Sequence, residues 1–288
     1  MDKYIEKAIS RLETAAIIPF LHLHPKLYVI IHGNEKTHQS DYSYLKQLIA
    51  SAKKYDCPIE IKKCNTVIAA TDALTALRDR FDISGVMIIS DYGSATRSLY
   101  DMIPQRMDIG GLSTNSIGTL YGSTDPIAYR HAPSTATAAM KILEEVLNDA
   151  NETIEGKSIA IIGRSIRVGR PLAEILLQQN ASVMMFHSKS PTPINKFDDF
   201  DVVISAMGKP KYVNASRINP QGKILIDVGI NIDENGKLCG DFDYENLKPY
   251  AKYISPVPGG VGPMTTTCTF AKLFANKENY FSDIGPRA

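Results

Sequence analysis

The stretch Ser158-Ile159-Ala160-Ile161-Ile162-Gly163-Arg164-Ser165-Ile166-Arg167-Val168-Gly169-Arg170-Pro171 decides how the chain is read. Its β-branched first half, bounded by Gly156-Lys157 and Gly163, predicts a buried strand over 158–162. Pro171-Leu172-Ala173-Glu174-Ile175-Leu176-Leu177 then opens a helix with proline in its first turn. Strand, glycine turn and helix together make a place for a pyrophosphate. Backbone N–H groups converge at the helix N-terminus, and the helix dipole there favours negative charge. The spacing is G-x-x-x-x-x-G rather than G-x-G-x-x-G, so a plain strand-to-helix turn stands as the alternative.

The next strand favours the cofactor reading. Residues 181–186 are apolar and end in His187-Ser188-Lys189, where an NAD-binding unit carries an acid for the ribose 2′-hydroxyl. No carboxylate stands there to repel a 2′-phosphate. Ser188 can donate a hydrogen bond and Arg164 or Lys189 can supply charge, so the pair of features points to NADP.

Outward from this core, strands are predicted over 26–31, 59–62, 84–89, 201–206 and 223–229, and helices over 2–16, 41–55, 72–81 and 134–147. Residues 91–130, rich in Gly, Ser, Thr, Asp and Pro, read as loops between short elements. This alternation predicts an α/β fold in two domains. The first is a small α/β domain over 1–130. The second, over 131–264, is a Rossmann-like NADP-binding domain, with a cleft expected between the two.

The composition excludes several classes. With 288 residues, 44% hydrophobic content and a net charge of +1, the composition gives no case for a nucleic-acid or membrane surface. The charged N-terminus is followed by no apolar run of spanning length, so a soluble cytoplasmic protein is expected. Cys57, Cys64, Cys239 and Cys268 are scattered and read as free thiols. His22 and His24 lack a third ligand, so no metal is expected.

From Gly156 onward the chain resembles the methylenetetrahydrofolate dehydrogenase/cyclohydrolase family. The resemblance rests on Gly163-Arg164-Ser165 with Val168-Gly169-Arg170-Pro171, on His187-Ser188-Lys189, Gly208-Lys209-Pro210 and Ile226-Asp227-Val228-Gly229-Ile230-Asn231, and on Gly240-Asp241-Phe242-Asp243. The most specific segment is Pro256-Val257-Pro258-Gly259-Gly260-Val261-Gly262-Pro263-Met264-Thr265. Its prolines and glycines suit neither helix nor central strand but a rigid loop near a ligand. The resemblance implies hydride transfer from 5,10-methylene-tetrahydrofolate to NADP, and in many members hydrolysis of the methenyl product to 10-formyl-tetrahydrofolate. It also implies that 1–130 is the catalytic, folate-binding domain, completed by a C-terminal helix over 265–288, and it implies a reduced-folate substrate and a homodimer. Cofactor contacts are implied for Gly163, Arg164, Ser165, Val168, Gly169, Arg170, Pro171, His187, Ser188, Lys189, Ala206, Gly208, Ile230 and Thr265. Folate contacts are implied for Pro258, Gly259 and Gly260.

In the first half the family carries Tyr-x-x-x-Lys, which Tyr42-Ser43-Tyr44-Leu45-Lys46 supplies. Tyr42 is expected to stack on or hydrogen-bond the folate and Lys46 to act as acid/base. Two other family positions are altered. Ile89 stands where a glutamine holds the catalytic lysine, and Gly110 stands where an aspartate grips the pterin, with Asp91 or Asp108 as possible substitutes. The leading reading is therefore an NADP-dependent dehydrogenase in which the cyclohydrolase step is in doubt. The alternative is a weak or inactive dinucleotide-binding paralogue with a regulatory or partner-subunit role.

Overall fold

The computed structural model describes residues 2–123, 131–190 and 197–284, with side chains described to residue 277. Its first half contains α1 (Lys3–Ala16), β1 (Leu27–Ile31), α2 (Gln39–Lys54), β2 (Ile59–Lys63), α3 (Val67–Thr75), β3 (Gly85–Ile88), α4 (Thr96–Met102) and α5 (Thr114–Gly122). There follow α6 (Ser134–Asp149), β4 (Ser158–Ile162), α7 (Gly169–Gln178), β5 (Ser182–Phe186), β6 (Val202–Ser205) and β7 (Ile224–Asp227). The chain closes with β8 (Asn231–Ile232), β9 (Leu238–Cys239), α8 (Tyr244–Leu247), β10 (Tyr253–Ile254) and α9 (Val261–Ile284).

The described chain divides into two compact units. One comprises residues 11–123, 131–134 and 266–284, the other residues 2–10, 135–190 and 197–265. The sequence places the first ten residues with the first domain, whereas here they pack on the second unit. Lys7 Nζ lies 2.9 Å from Glu145 and 3.3 Å from Asp149, and Tyr4 meets Tyr253 edge-on with ring centroids 5.1 Å apart. The predicted boundary after residue 130 adjoins 124–130, which lie outside the described residues, as do 285–288 of the predicted C-terminal helix.

In the first unit a parallel sheet runs in the order β2-β1-β3, with Val29 opposite both Ile61 and Met87. The central strand β1 is buried on both faces, which is why it reads as a continuous apolar run. Alternation splits its side chains. Leu27, Val29 and Ile31 pack with Leu45, Leu48, Phe270 and Phe274, while Tyr28 and Ile30 pack with Leu74, Leu77, Leu99 and Tyr100.

The helix predicted over 72–81 lies earlier, at α3. Thr66 caps it by accepting from the Ala69 N–H at 3.1 Å, a start signal upstream of the one inferred from the apolar pattern. Past Thr75 the backbone tightens into bonds to carbonyls three residues back, and Arg80 is drawn to Glu60 and Asp82. The segment read as loops holds α4 and α5, the latter capped by Ser113 Oγ accepting from the Ser116 N–H at 3.2 Å.

The second unit carries a five-stranded, wholly parallel sheet in the order β10-β7-β6-β4-β5. Ala160, Ile162, Val203 and Leu225 face Phe186, Phe197, Val213, Ile218 and Phe242 on one side of it. Each sheet has one point where successive connections leave in opposite directions, between β1 and β3 in the first and between β4 and β6 in the second. In open α/β sheets, the crevice beyond the strand C-termini at such a point is where ligands bind.

Candidate functional site

At the second unit's switch point the chain turns sharply after β4. Gly163 has φ +132°, and its N–H donates to the Phe186 carbonyl at 2.9 Å. A Cβ there would lie 2.5 Å from the Ala206 carbonyl oxygen at the end of β6, so only glycine keeps the two strand ends this close. Gly169, at the start of α7, is packed harder still: a Cβ would meet the Gly163 carbonyl oxygen at 2.0 Å. Ser165 joins the two by accepting from the Val168 N–H at 3.1 Å through its hydroxyl and from the Arg170 N–H at 3.1 Å through its carbonyl. The side chains of Arg164, Ser165 and Arg170 are exposed around this turn, while Pro171 is buried. A backbone cradle of this kind, closed to any Cβ and ending on a helix N-terminus, fits a dinucleotide pyrophosphate.

The neighbouring turn after β5 is held by Ser190, whose hydroxyl accepts from the His187 N–H at 3.0 Å, and by His187 Nδ1, which accepts from the Lys189 N–H at 3.1 Å. Ser188 and Lys189 are left exposed beside no carboxylate of their own turn.

A buried pair of aspartates fixes the other two loops at this edge. Asp241, fully buried, accepts from Ser205 Oγ at 2.8 Å, Met207 N at 2.7 Å, Lys209 N at 2.9 Å and Asn231 Nδ2 at 2.9 Å. Asp227 accepts from the N–H groups of Gly229, Asp241 and Phe242 at 2.9 to 3.0 Å. Burial, with the Asp241 carboxylate beside it, pushes Asp227 up to about 7, while the three N–H donors favour its charged form. Ala206, Gly208 and Ile230 ride on these loops, and Ile230 is exposed. Sequence reading places Asp227 and Asp241 in matching stretches without assigning them work. Their signal is a glycine within two residues of each in sequence: a Cβ on Gly229 or Gly240 would overlap the opposing carboxylate.

Pro258 and Gly259 lie in the turn between β10 and α9, with Gly259 at φ +96°. A Cβ on Gly260 would meet the Pro256 carbonyl oxygen at 2.2 Å. Thr265, on α9, is buried and donates its hydroxyl to the Val261 carbonyl at 2.9 Å.

The first unit differs from the expectation for its site. Tyr42 is only 6% exposed and donates its hydroxyl to the His32 carbonyl at 3.0 Å, so it holds the loop after β1. Lys46 is 74% exposed and lies 3.6 Å from Glu35. The second tyrosine of α2, Tyr44, has its hydroxyl 3.4 Å from Thr269 Oγ1. Four residues after it stands Leu48, a fully buried hydrocarbon. Ile89 is buried and apolar, and the two aspartates named as substitutes for the missing carboxylate both hold partners close by in the chain. Asp108 accepts from Gly111 N, Ser113 N and Ser116 Oγ, and Asp91 from Gly93 N and Thr96 Oγ1.

A different set of side chains meets at the β1–β3 switch point. Ser90 Oγ, fully buried after β3, accepts from the His32 N–H at 2.9 Å and donates to Asp41 Oδ2 at 2.7 Å. His38 Nδ1 lies 3.2 Å from the same carboxylate oxygen, and the rings of His32 and His38 stack with centroids 4.2 Å apart. The four residues are 58 positions apart at their extremes, and their only sequence signal is that His32 and Ser90 follow apolar strands.

Residues 133–281 match the family model described as "Tetrahydrofolate dehydrogenase/cyclohydrolase, NAD(P)-binding domain". The chain is 36% identical over 249 residues to the "Bifunctional protein FolD" of Staphylococcus saprophyticus, which covers 84% of this chain and 83% of that protein. Among solved structures, the bifunctional methylenetetrahydrofolate dehydrogenase/cyclohydrolase of Campylobacter jejuni aligns over 96% of both chains with a TM-score of 0.83 and 26% identity. The Thermoplasma acidophilum enzyme aligns over 96% of this chain and 97% of its own, with a TM-score of 0.80 and 28% identity.

Proposed function

The chain belongs to the tetrahydrofolate dehydrogenase/cyclohydrolase family, and from that membership we propose that it oxidises 5,10-methylene-tetrahydrofolate to 5,10-methenyl-tetrahydrofolate with NADP. The observation that carries this reading is the cradle in which Gly163 and Gly169 close on backbone atoms, flanked by Arg164, Ser188 and Lys189 with no opposing acid at the turn after β5. When bound, NADP supplies the hydride acceptor. The chain's part in that step is alignment, because the folate nitrogen lone pair itself drives hydride departure. No general base is needed, so the exposure of Lys46 does not weaken this half of the reaction. The backbone turn over 163–169 orients the pyrophosphate, with Val168, Arg170 and Pro171 setting the start of α7. The loops bearing Ala206, Gly208 and Ile230 are held rigid by Asp241, and Thr265 and the Pro258-Gly259-Gly260 turn complete the proposed contacts. A homodimeric, cytoplasmic enzyme belongs to the same proposal.

The test is a spectrophotometric assay with 5,10-methylene-tetrahydrofolate and either NADP or NAD. Reduced nicotinamide is expected to form faster with NADP. In the double variant Arg164→Gln, Lys189→Gln, kcat/KM for NADP is expected to fall at least about 100-fold further than for NAD, since each charge-assisted bond to phosphate contributes roughly 1.5–3 kcal/mol. NADP binding without turnover would instead identify the regulatory paralogue.

A further inference from the structure

Both nitrogens of each histidine at the β1–β3 switch point can be assigned. An ionised carboxylate only accepts, so His38 Nδ1, facing Asp41 Oδ2, carries its hydrogen, and Nε2 of the neutral ring keeps a lone pair. His32 Nδ1 accepts from the Asn34 N–H at 3.3 Å, so Nε2 of that neutral ring carries the hydrogen. Neither Nε2 has a partner among the described residues. Two stacked imidazoles thus carry one acceptor and one donor at the switch point, where an open α/β sheet takes its ligand.

The pair is supported by buried Ser90 and Tyr42 and by half-buried Asp41. Asp41 accepts from both Ser90 and His38, Ser90 fixes the His32 backbone through its hydroxyl, and Tyr42 fixes the His32 carbonyl. His38 retains 26% side-chain exposure and His32 is half-buried, so neither residue is sealed from solvent. A surface pair would need none of this scaffolding.

We propose that His38, oriented by Asp41, is the general base for hydrolysis of 5,10-methenyl-tetrahydrofolate in this chain, and that His32 is its hydrogen-bond donor. The proposal rests on the reading given under Proposed function and extends it to the second reaction. Water oxygen bonds to the methenyl carbon while His38 Nε2 takes a proton from that water, and His32 Nε2–H donates to the incoming oxygen. The carbon–N5 bond then breaks with its electron pair going to nitrogen, His38 delivers its proton to N5, and the hydroxyl proton passes to solvent as the formyl C=O forms. The balance is one methenyl cation and one water in, one 10-formyl-tetrahydrofolate and one proton out. Asp41 and Ser90 are positioning residues in this scheme.

The test supplies 5,10-methenyl-tetrahydrofolate directly and follows its loss, with NADP-dependent oxidation of 5,10-methylene-tetrahydrofolate measured in parallel. In His38→Ala, hydrolysis is expected to fall about 100-fold or more, hydride transfer by less than about tenfold, and added imidazole to restore part of the hydrolysis. Asp41→Asn is expected to lower hydrolysis about tenfold or more, because the ring loses its orienting carboxylate. Hydrolysis at the intact rate in His38→Ala overturns the proposal, as does its loss in Lys46→Ala instead, or a parallel fall of both activities without imidazole rescue. A native protein that reduces NADP but hydrolyses nothing overturns it too, and leaves the dehydrogenase reading standing. A native protein that hydrolyses the methenyl compound through His38 but reduces no NADP overturns only the dehydrogenase reading.

Discussion

Gly169→Ala is expected to lower kcat/KM for NADP at least about 100-fold, because a misplacement of about 1 Å at a positioning element costs on that order. The added methyl carbon would sit 2.0 Å from the Gly163 carbonyl oxygen, 2.7 Å from its carbonyl carbon and 3.2 Å from Arg164 Cα. All three are backbone atoms, so no side chain can swing aside. Relief requires α7 to move away from the end of β4, and that movement opens the cradle whose N–H groups would hold the pyrophosphate. The same strain lowers stability by about 1–3 kcal/mol, as overpacking does. Cofactor titration and the thermal midpoint of the same preparation separate the two effects. A variant that binds NADP as tightly as the native chain would remove the cradle from the cofactor site.

Lys272→Met is expected to raise stability near pH 7 by about 2 kcal/mol. Lys272 lies on α9, 9% exposed, and donates to the Ala132 carbonyl. Burial pushes its ammonium down to about 8, against the weaker opposing pull of Cys268 and Asp108. A drop from 10.5 to about 8 corresponds to roughly 3 kcal/mol at about 1.4 kcal/mol per unit, and loss of the Ala132 bond returns about 1 kcal/mol. The sign follows from proton binding. Between pH 8 and 10.5 the unfolded chain holds more protons at this lysine than the folded chain, so the native protein gains stability as pH rises through that window. Below about 8 the lysine is charged in both states and the full burial cost is present. Methionine keeps the length and carries no charge, so the variant is expected to melt about 4 °C or more above the native chain at pH 7. It is also expected to lose the rise in stability between pH 8 and 10.5. A lower midpoint for Lys272→Met would mean that the bond to Ala132 outweighs the buried charge.

The strands were the most legible part of the chain in sequence, because parallel strands covered on both faces are continuous apolar runs with glycine or polar ends. The runs 26–31 and 158–162 show this at β1 and β4. The α3 helix was less legible, since its start is fixed by one threonine hydroxyl rather than by periodicity. The strand, glycine turn and helix over 158–177 could be read because all their parts are contiguous in sequence. The tightness of the turn could not, because Ala206 reaches Gly163 only through the pairing of β4 with β6. The histidine cluster was not legible for the same reason. His32, His38 and Asp41 share one loop and helix start, but Ser90 joins them only when β3 lies beside β1. Lys46 matched a spacing, and a spacing of four on a helix fixes which residues share a face without saying whether that face is turned inward.

The aspartate pair of the second unit has a consequence for exchange with solvent deuterium. Met207 and Lys209 lie outside any strand, yet their N–H groups end on the fully buried Asp241 carboxylate. Loop amides ordinarily exchange through small local openings, whereas these two can be released only when Asp241 gives up its partners. They are expected to exchange as slowly as the amides of β6 in protein free of any dinucleotide, which amide-resolved exchange would show. Exchange at ordinary loop rates would mean that the carboxylate does not hold them. Slow exchange means that this surface is ordered before a dinucleotide arrives, so association need not bear the entropy of folding it.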